Sequence, residues 1–82
     1  SLDETILSQA EEVEEESNLE RFLLVLSKIP ESASRLLKPL IIDGKSYREL
    51  AELEGVSDST LRVKIHRARS TFKKALIENP NL

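Results

Sequence analysis

The chain has no cysteine, which excludes a disulfide scaffold and any thiolate metal site and fits a reducing cytoplasm. Its single histidine, His66, has no cysteine or second histidine at ligand spacing, so no metal ligand is assigned. Tryptophan and methionine are absent and aromatics make up 4% of the 82 residues. Any core must therefore be aliphatic, and at this length it is small. Only two glycines occur, and the alternation of a strand is missing, which points to an all-α fold. No apolar run nears the roughly 20 residues that span a bilayer. The longest is Phe22 to Leu26, and no signal-peptide pattern is present, so no membrane partner is expected. Nucleophile–base pairs, phosphate-cradling glycine loops and paired carboxylates are missing too. No enzyme, catalytic residue or cofactor is expected. The chain does not begin with methionine, which fits a domain of a longer protein or a separate accessory factor.

Basic residues are absent from the first 20 positions, which hold eight of the 15 acids. The remaining positions hold all 12 Lys and Arg against seven acids. Within them, Asp58 to Ile77 carries six of the 12 basic residues against Asp58 alone. The net charge of −3 thus conceals a strongly basic stretch.

That stretch belongs to Ser46–Arg69, which reads as a short helix, a tight turn and a longer basic helix. Ser46 is an N-cap, and Glu49 three residues on completes a capping box. Leu50, Ala51 and Leu53 give the short helix an apolar side, and Ala51 is small enough for a crossing helix to approach. Gly55 can take the positive φ that ends the helix, and Val56 follows as a buried plug. Ser57 caps the second helix, with Asp58 near its positive end. Leu61, Ile65, Ala68, Phe72 and Ala75 or Leu76 share one face, while Arg62, Lys64, His66, Arg67, Arg69, Lys73 and Lys74 lie opposite. This is the plan of a helix-turn-helix, whose second helix enters the major groove of DNA.

Two helices are expected before it. Asn18 to Lys28 has Asn18 as cap and Leu19, Phe22, Leu23, Leu26 and Ile29 as its apolar stripe, ended by Pro30. Glu31 to Asp43 presents Ala33, Leu36, Leu37, Leu40 and Ile41, with Pro39 expected to kink or break it. Asp43-Gly44-Lys45 is a turn, and the last helix runs to about Asn79. The organisation is a small bundle of about four helices with a C-terminal helix-turn-helix, residues 18–82. An acidic extension, residues 1–17, precedes it. There Ile6, Leu7, Ala10 and Val13 allow a short helix capped by Asp3. Its acids read either as a solvated linker or as a segment that folds back on the basic helix.

Arg62 and Arg67 are candidates for base edges, because a guanidinium bonds guanine O6 and N7 together. Val63 can meet a thymine methyl, and His66 a base or a phosphate. Ser57, Ser59 and Thr60 sit where a helix N-terminus meets phosphate. Lys64, Arg69, Lys73 and Lys74 face phosphates or solvent. Tyr47 and Arg48 can hold the DNA backbone, and Tyr47 fits core packing equally well.

The run LRVKIHRAR after GVSDST, with GKSY before the first helix, resembles region 4 of bacterial sigma factors, above all the extracytoplasmic-function class. Ile29-Pro30-Glu31 and Arg35 resemble the opening of that region, and the likeness spans about Asn18 to Ile77. It implies that Arg62, Val63, His66 and Arg67 face the promoter −35 element. It also implies RNA polymerase core as a partner, through the flap of its β subunit, with an anti-sigma factor on overlapping surface. Leu26, Ile29, Leu37, Leu40 and Ile41 are the candidates for that contact, against a plain core role. In this family an acidic connector joins region 4 to the promoter-melting region 2, and residues 1–17 fit its end. The chain departs from the family at Pro39, at Leu40 where a basic residue is usual, and at Val63 where serine is common. Two other readings stay open: a dimeric response-regulator-type DNA-binding domain, and a protein-interaction module that no longer reads DNA.

Overall fold

Five successive apolar residues, Phe22–Leu26, fit any rotation of a helix about its axis, so the inward face of the first helix is a tertiary question. A computed structural model of the chain answers it, and describes residues 18–81. The expected extension, residues 1–17, lies outside the described residues. Residues 18–26 form helix α1, and Asn18 is itself helical rather than a cap before the first turn. The inward line is Phe22, Val25, Leu26 and Ile29, with Val25 fully buried. This spacing of three, one and three is one helical face. Leu19 and Leu23, expected on that face, point outward at 49% and 43% exposure. Val25 takes the place expected of Leu23.

α1 ends before the expected Lys28. Residues 27–29 form a turn in which the Lys28 N–H donates to the Val25 carbonyl at 2.9 Å. Pro30, in extended conformation (φ −59°, ψ 149°), then starts α2, Glu31–Ile41. Its carbonyl accepts the first helical N–H groups, from Ala33 at 3.0 Å and Ser34 at 3.1 Å. Pro39 does not break α2. It lies in the last turn, so the bond it removes, to the Arg35 carbonyl, is one of the last the helix would make. The helix stops two residues later, short of Asp43. Gly44, at φ 66°, turns the chain, and the Lys45 N–H returns to the Pro39 carbonyl at 3.1 Å.

α3, Tyr47–Glu54, and α4, Asp58–Glu78, follow. Ala33, Leu36 and Leu37 of α2, Leu50 and Ala51 of α3, and Leu61, Ile65, Ala68 and Ala75 of α4 close one aliphatic core with Val25, Leu26 and Ile29. Phe22 and Phe72, their ring centroids 5.2 Å apart, pin α1 to the C-terminal half of α4. The aliphatic core and the inward face of α4 are as the periodicity predicts, with Val56, Phe72 and Leu76 packed partly buried against it. Leu53 is a correction: it is 71% exposed, and the side of α3 next to the core is completed by Glu54 instead. Among the described residues no polar or charged residue is buried, and no helix is long and apolar enough to cross a membrane.

Candidate nucleic-acid interface

The turn that sets α4 against α3 is built from three residues. The Ser46 hydroxyl accepts the Glu49 N–H at 3.1 Å, and the Glu49 carboxylate accepts the Ser46 N–H at 3.4 Å, so the capping box is complete. At the other end, Gly55 stands at φ 67°, ψ 34°. The Val56 N–H reaches the Ala51 carbonyl at 3.0 Å, and the Gly55 N–H the Glu52 carbonyl at 3.2 Å. These two bonds form a Schellman termination, which needs a left-handed residue where glycine stands. Ser57 then caps α4, its oxygen accepting the Thr60 N–H at 3.2 Å.

The hydroxyls of Ser57, Ser59 and Thr60, expected to meet phosphate, first meet one another. The Ser57 oxygen lies 2.9 Å from Thr60 Oγ1 and 3.2 Å from Ser59 Oγ. The cap uses the Thr60 N–H, while the N–H groups of Asp58 and Ser59 have no partner within the helix. All three hydroxyl-bearing residues are exposed. The Asp58 carboxylate at the same terminus offsets part of its attraction for an anion.

Along α4 the expected base-facing residues Arg62, Val63, His66 and Arg67 are all exposed, Val63 at 50%. At about 100° per residue, Arg62 and Arg67 stand about 140° apart, so they flank the outward arc and enclose Val63 and His66. The helix has 21 residues, about 30 Å in length. Its N-terminal half presents this arc, and Arg69, Lys73 and Lys74, also exposed, continue the positive surface.

The two arginines have different surroundings. Arg62 carries its guanidinium over the Tyr47 ring, 5.8 Å from the centroid. Tyr47 is partly buried and packs against the core, so it serves the packing role foreseen for it. Arg67, with Lys64 and Thr71, lines a cavity of about 260 Å³ whose opposite wall holds Ser32, Arg35 and Glu54. On that wall Arg35 and Glu54 make a two-pronged ion pair, Nε to Oε1 at 3.2 Å and Nη2 to Oε2 at 3.1 Å. The Glu54 side chain is 15% exposed. Sequence reasoning missed this pair: its members are 19 positions apart, and no local pattern links them.

Arg48, a candidate for the DNA backbone, lies 3.9 Å from Glu52, and Lys45 lies 3.8 Å from Glu49. Among the described residues the ion-paired cations are thus Arg35, Lys45 and Arg48, and no cation of α4 has a carboxylate within 4.0 Å.

The five apolar candidates for a polymerase contact divide. Leu26, Ile29 and Leu37 are core, at 7%, 9% and 1% exposure, so their side chains are spent on packing and cannot form an outer contact surface. Leu40 is partly buried and Ile41 is 53% exposed. The apolar surface that does face outward on the first two helices also includes Leu19, Leu23, Leu24 and Ile42. Periodicity could not find it, because both faces of α1 are apolar.

No curated protein and no solved structure shows significant similarity to the chain. Residues 19–72, from the start of α1 to the Phe72 contact, match the family described as Sigma-70, region 4. This family consists of DNA-binding domains of RNA polymerase sigma factors and is not an enzyme class. The match takes in α3 and most of α4, and two thirds of the chain lies within it. The chain therefore belongs to the sigma-70 region 4 family.

Proposed function

We propose that the chain reads the −35 element of a promoter and so positions RNA polymerase for initiation, as part of a sigma factor of the extracytoplasmic-function class acting in the cytoplasm. The observation that carries this reading is the exposed basic face of α4, whose cations pair with no carboxylate among the described residues, held by a capped tight turn. Arg62, Val63, His66 and Arg67 meet base edges in the major groove. Arg48, Ser57, Ser59, Thr60, Lys64 and Arg69 hold phosphates and fix the register. The affinity divides accordingly. Phosphate contacts supply a salt-dependent part common to all sequences. Each good bidentate arginine–guanine pair supplies about 1–3 kcal/mol of discrimination.

Polymerase core is the protein partner in this reading, through its β flap, with an anti-sigma factor competing for overlapping surface. Leu40 and Ile41 are the members of the original set placed to contribute, and the outward leucines of α1 extend the same half of the molecule. Residues 1–17 form the end of an acidic connector, and residues 18–82 the domain.

The test is selection of bound duplexes from a random pool at low and moderate salt, beside the Arg62→Ala/Arg67→Ala variant. A single asymmetric motif, enriched by the wild type and lost in the variant, is the expected result. An inverted repeat would indicate a dimeric regulator instead. Failure to enrich any sequence at either salt would overturn the reading.

A further inference from the structure

We infer that Tyr47 is a positioning residue for base recognition: its ring holds the Arg62 guanidinium in the orientation that reads a base pair. The inference rests on the proposed role of Arg62 in the groove. It assigns Tyr47 a task different from a phosphate contact through its hydroxyl.

The ring is a fixed platform. Tyr47 is the first residue of α3, directly after the Ser46 cap, so the capping box sets its backbone. Its side chain is partly buried against the core. Arg62 sits one turn into α4, which the Gly55 termination and the Ser57 cap orient in turn. The 5.8 Å separation of guanidinium carbon and ring centroid lies within cation–π range. Both partners are thus delivered by elements with defined ends.

The chemistry of the contact suits a recognition residue. A guanidinium held by a carboxylate spends its N–H donors on that partner and must break the pair before it can meet DNA. Arg35 is held in this way by Glu54. A guanidinium held over an aromatic face by cation–π attraction commits none of its five N–H donors to a carboxylate. Attraction to the Tyr47 ring restricts the flexible Arg62 side chain and leaves its N–H donors available for a base. Arg67 has no aromatic neighbour of this kind: the residues lining its cavity are polar, charged or aliphatic.

The experiment uses the 82-residue chain, the duplex obtained by the selection above, and every single-base-pair variant of that duplex. Four variants are compared with the wild type: Tyr47→Phe, Tyr47→Leu, Arg62→Ala, and the Tyr47→Leu/Arg62→Ala double variant. Thermal melting confirms that each is folded. In the free proteins, proton NMR reads the ring-current shift of the Arg62 side chain. The expected pattern has the shift present in wild type and Tyr47→Phe and gone in Tyr47→Leu. Arg62→Ala abolishes discrimination at one base pair. Tyr47→Leu lowers discrimination at that same pair by roughly two- to fivefold, the equivalent of an exposed cation–π contact. Tyr47→Phe keeps it, and Tyr47→Leu has no further effect once Arg62 is gone.

Any of four outcomes overturns the inference. One is equal loss in Tyr47→Phe and Tyr47→Leu on every duplex, which marks a hydroxyl–phosphate contact. Another is full discrimination in Tyr47→Leu while Arg62→Ala has lost it. The third is a missing ring-current shift in the wild type. If the shift is present and Arg62→Ala still discriminates normally, the failure lies in the base-reading role of Arg62, and the positioning role falls with it.

Discussion

The two halves of this domain share one core and differ in how they are specified and in what they show to solvent. The helix-turn-helix half, α3 and α4, is defined by local devices. It has a capping box at Ser46, a left-handed Gly55 and a serine cap at Ser57. The first half has few of them. α2 starts at Pro30 with no side-chain cap and carries a second proline in its last turn. It is held in place mainly by burying Ala33, Leu36 and Leu37. Outside the core, the first half exposes Leu19, Leu23, Leu24, Ile41 and Ile42, whereas α4 exposes six cations with Val63 and Ile77 among them. Local definition is concentrated where the proposed role requires a helix to meet bases and phosphates to within ångströms. Burial alone suffices where the requirement is only to support it.

This contrast can be broken most sharply at the shared core. Leu61 is fully buried between the halves, and Leu61→Ala is expected to cost about 2–5 kcal/mol. Denaturant unfolding followed by circular dichroism should show a single transition moved to lower denaturant. Two separate transitions would mean that the halves are independent units.

The next effect concerns the outward face. Arg67→Ala should lose about 1–3 kcal/mol on the selected duplex and relax its sequence preference. Lys73→Ala should weaken binding slightly and evenly on all sequences, with a shallower salt dependence. Equal losses for both variants on selected and random duplexes, measured by fluorescence anisotropy, would remove the distinction between reading and holding.

The local devices give smaller effects. A Cβ on Gly55 would meet no atom within 4 Å, so Gly55→Ala isolates backbone strain. It should cost about 1–2 kcal/mol. Ser46→Ala should cost about 1 kcal/mol. Thermal melts of the two variants check both values, and unchanged stability would show that packing alone sets the turn. The smallest effect is expected at Arg48, which is widely exposed and 3.9 Å from Glu52. Arg48→Ala should alter stability by less than about 0.5 kcal/mol.

The same division explains what could be read from the sequence. The α3–α4 unit was legible because its signals are local: a serine, a glycine, and apolar residues at helical spacing all lie within one short stretch. The rotation of α1 was not. With five apolar residues in a row, only the surfaces of α2 and α4 decide that Val25 faces inward and Leu23 outward. Leu53 departed from its expected role for a related reason. An apolar residue at the end of a helix was expected inside. Instead Arg35, 19 positions earlier, neutralises Glu54 there. The surroundings of Arg62 were equally hidden, since Tyr47 lies on another helix and its position alone supported both packing and DNA contact.

The Tyr47–Arg62 stack has an optical consequence. The chain contains one tyrosine and no tryptophan, so its ultraviolet emission comes from the ring beneath Arg62. That emission is a built-in reporter at one edge of the recognition face. It responds when the guanidinium shifts on the ring, and it stays constant when an anion engages only the distal lysines of α4.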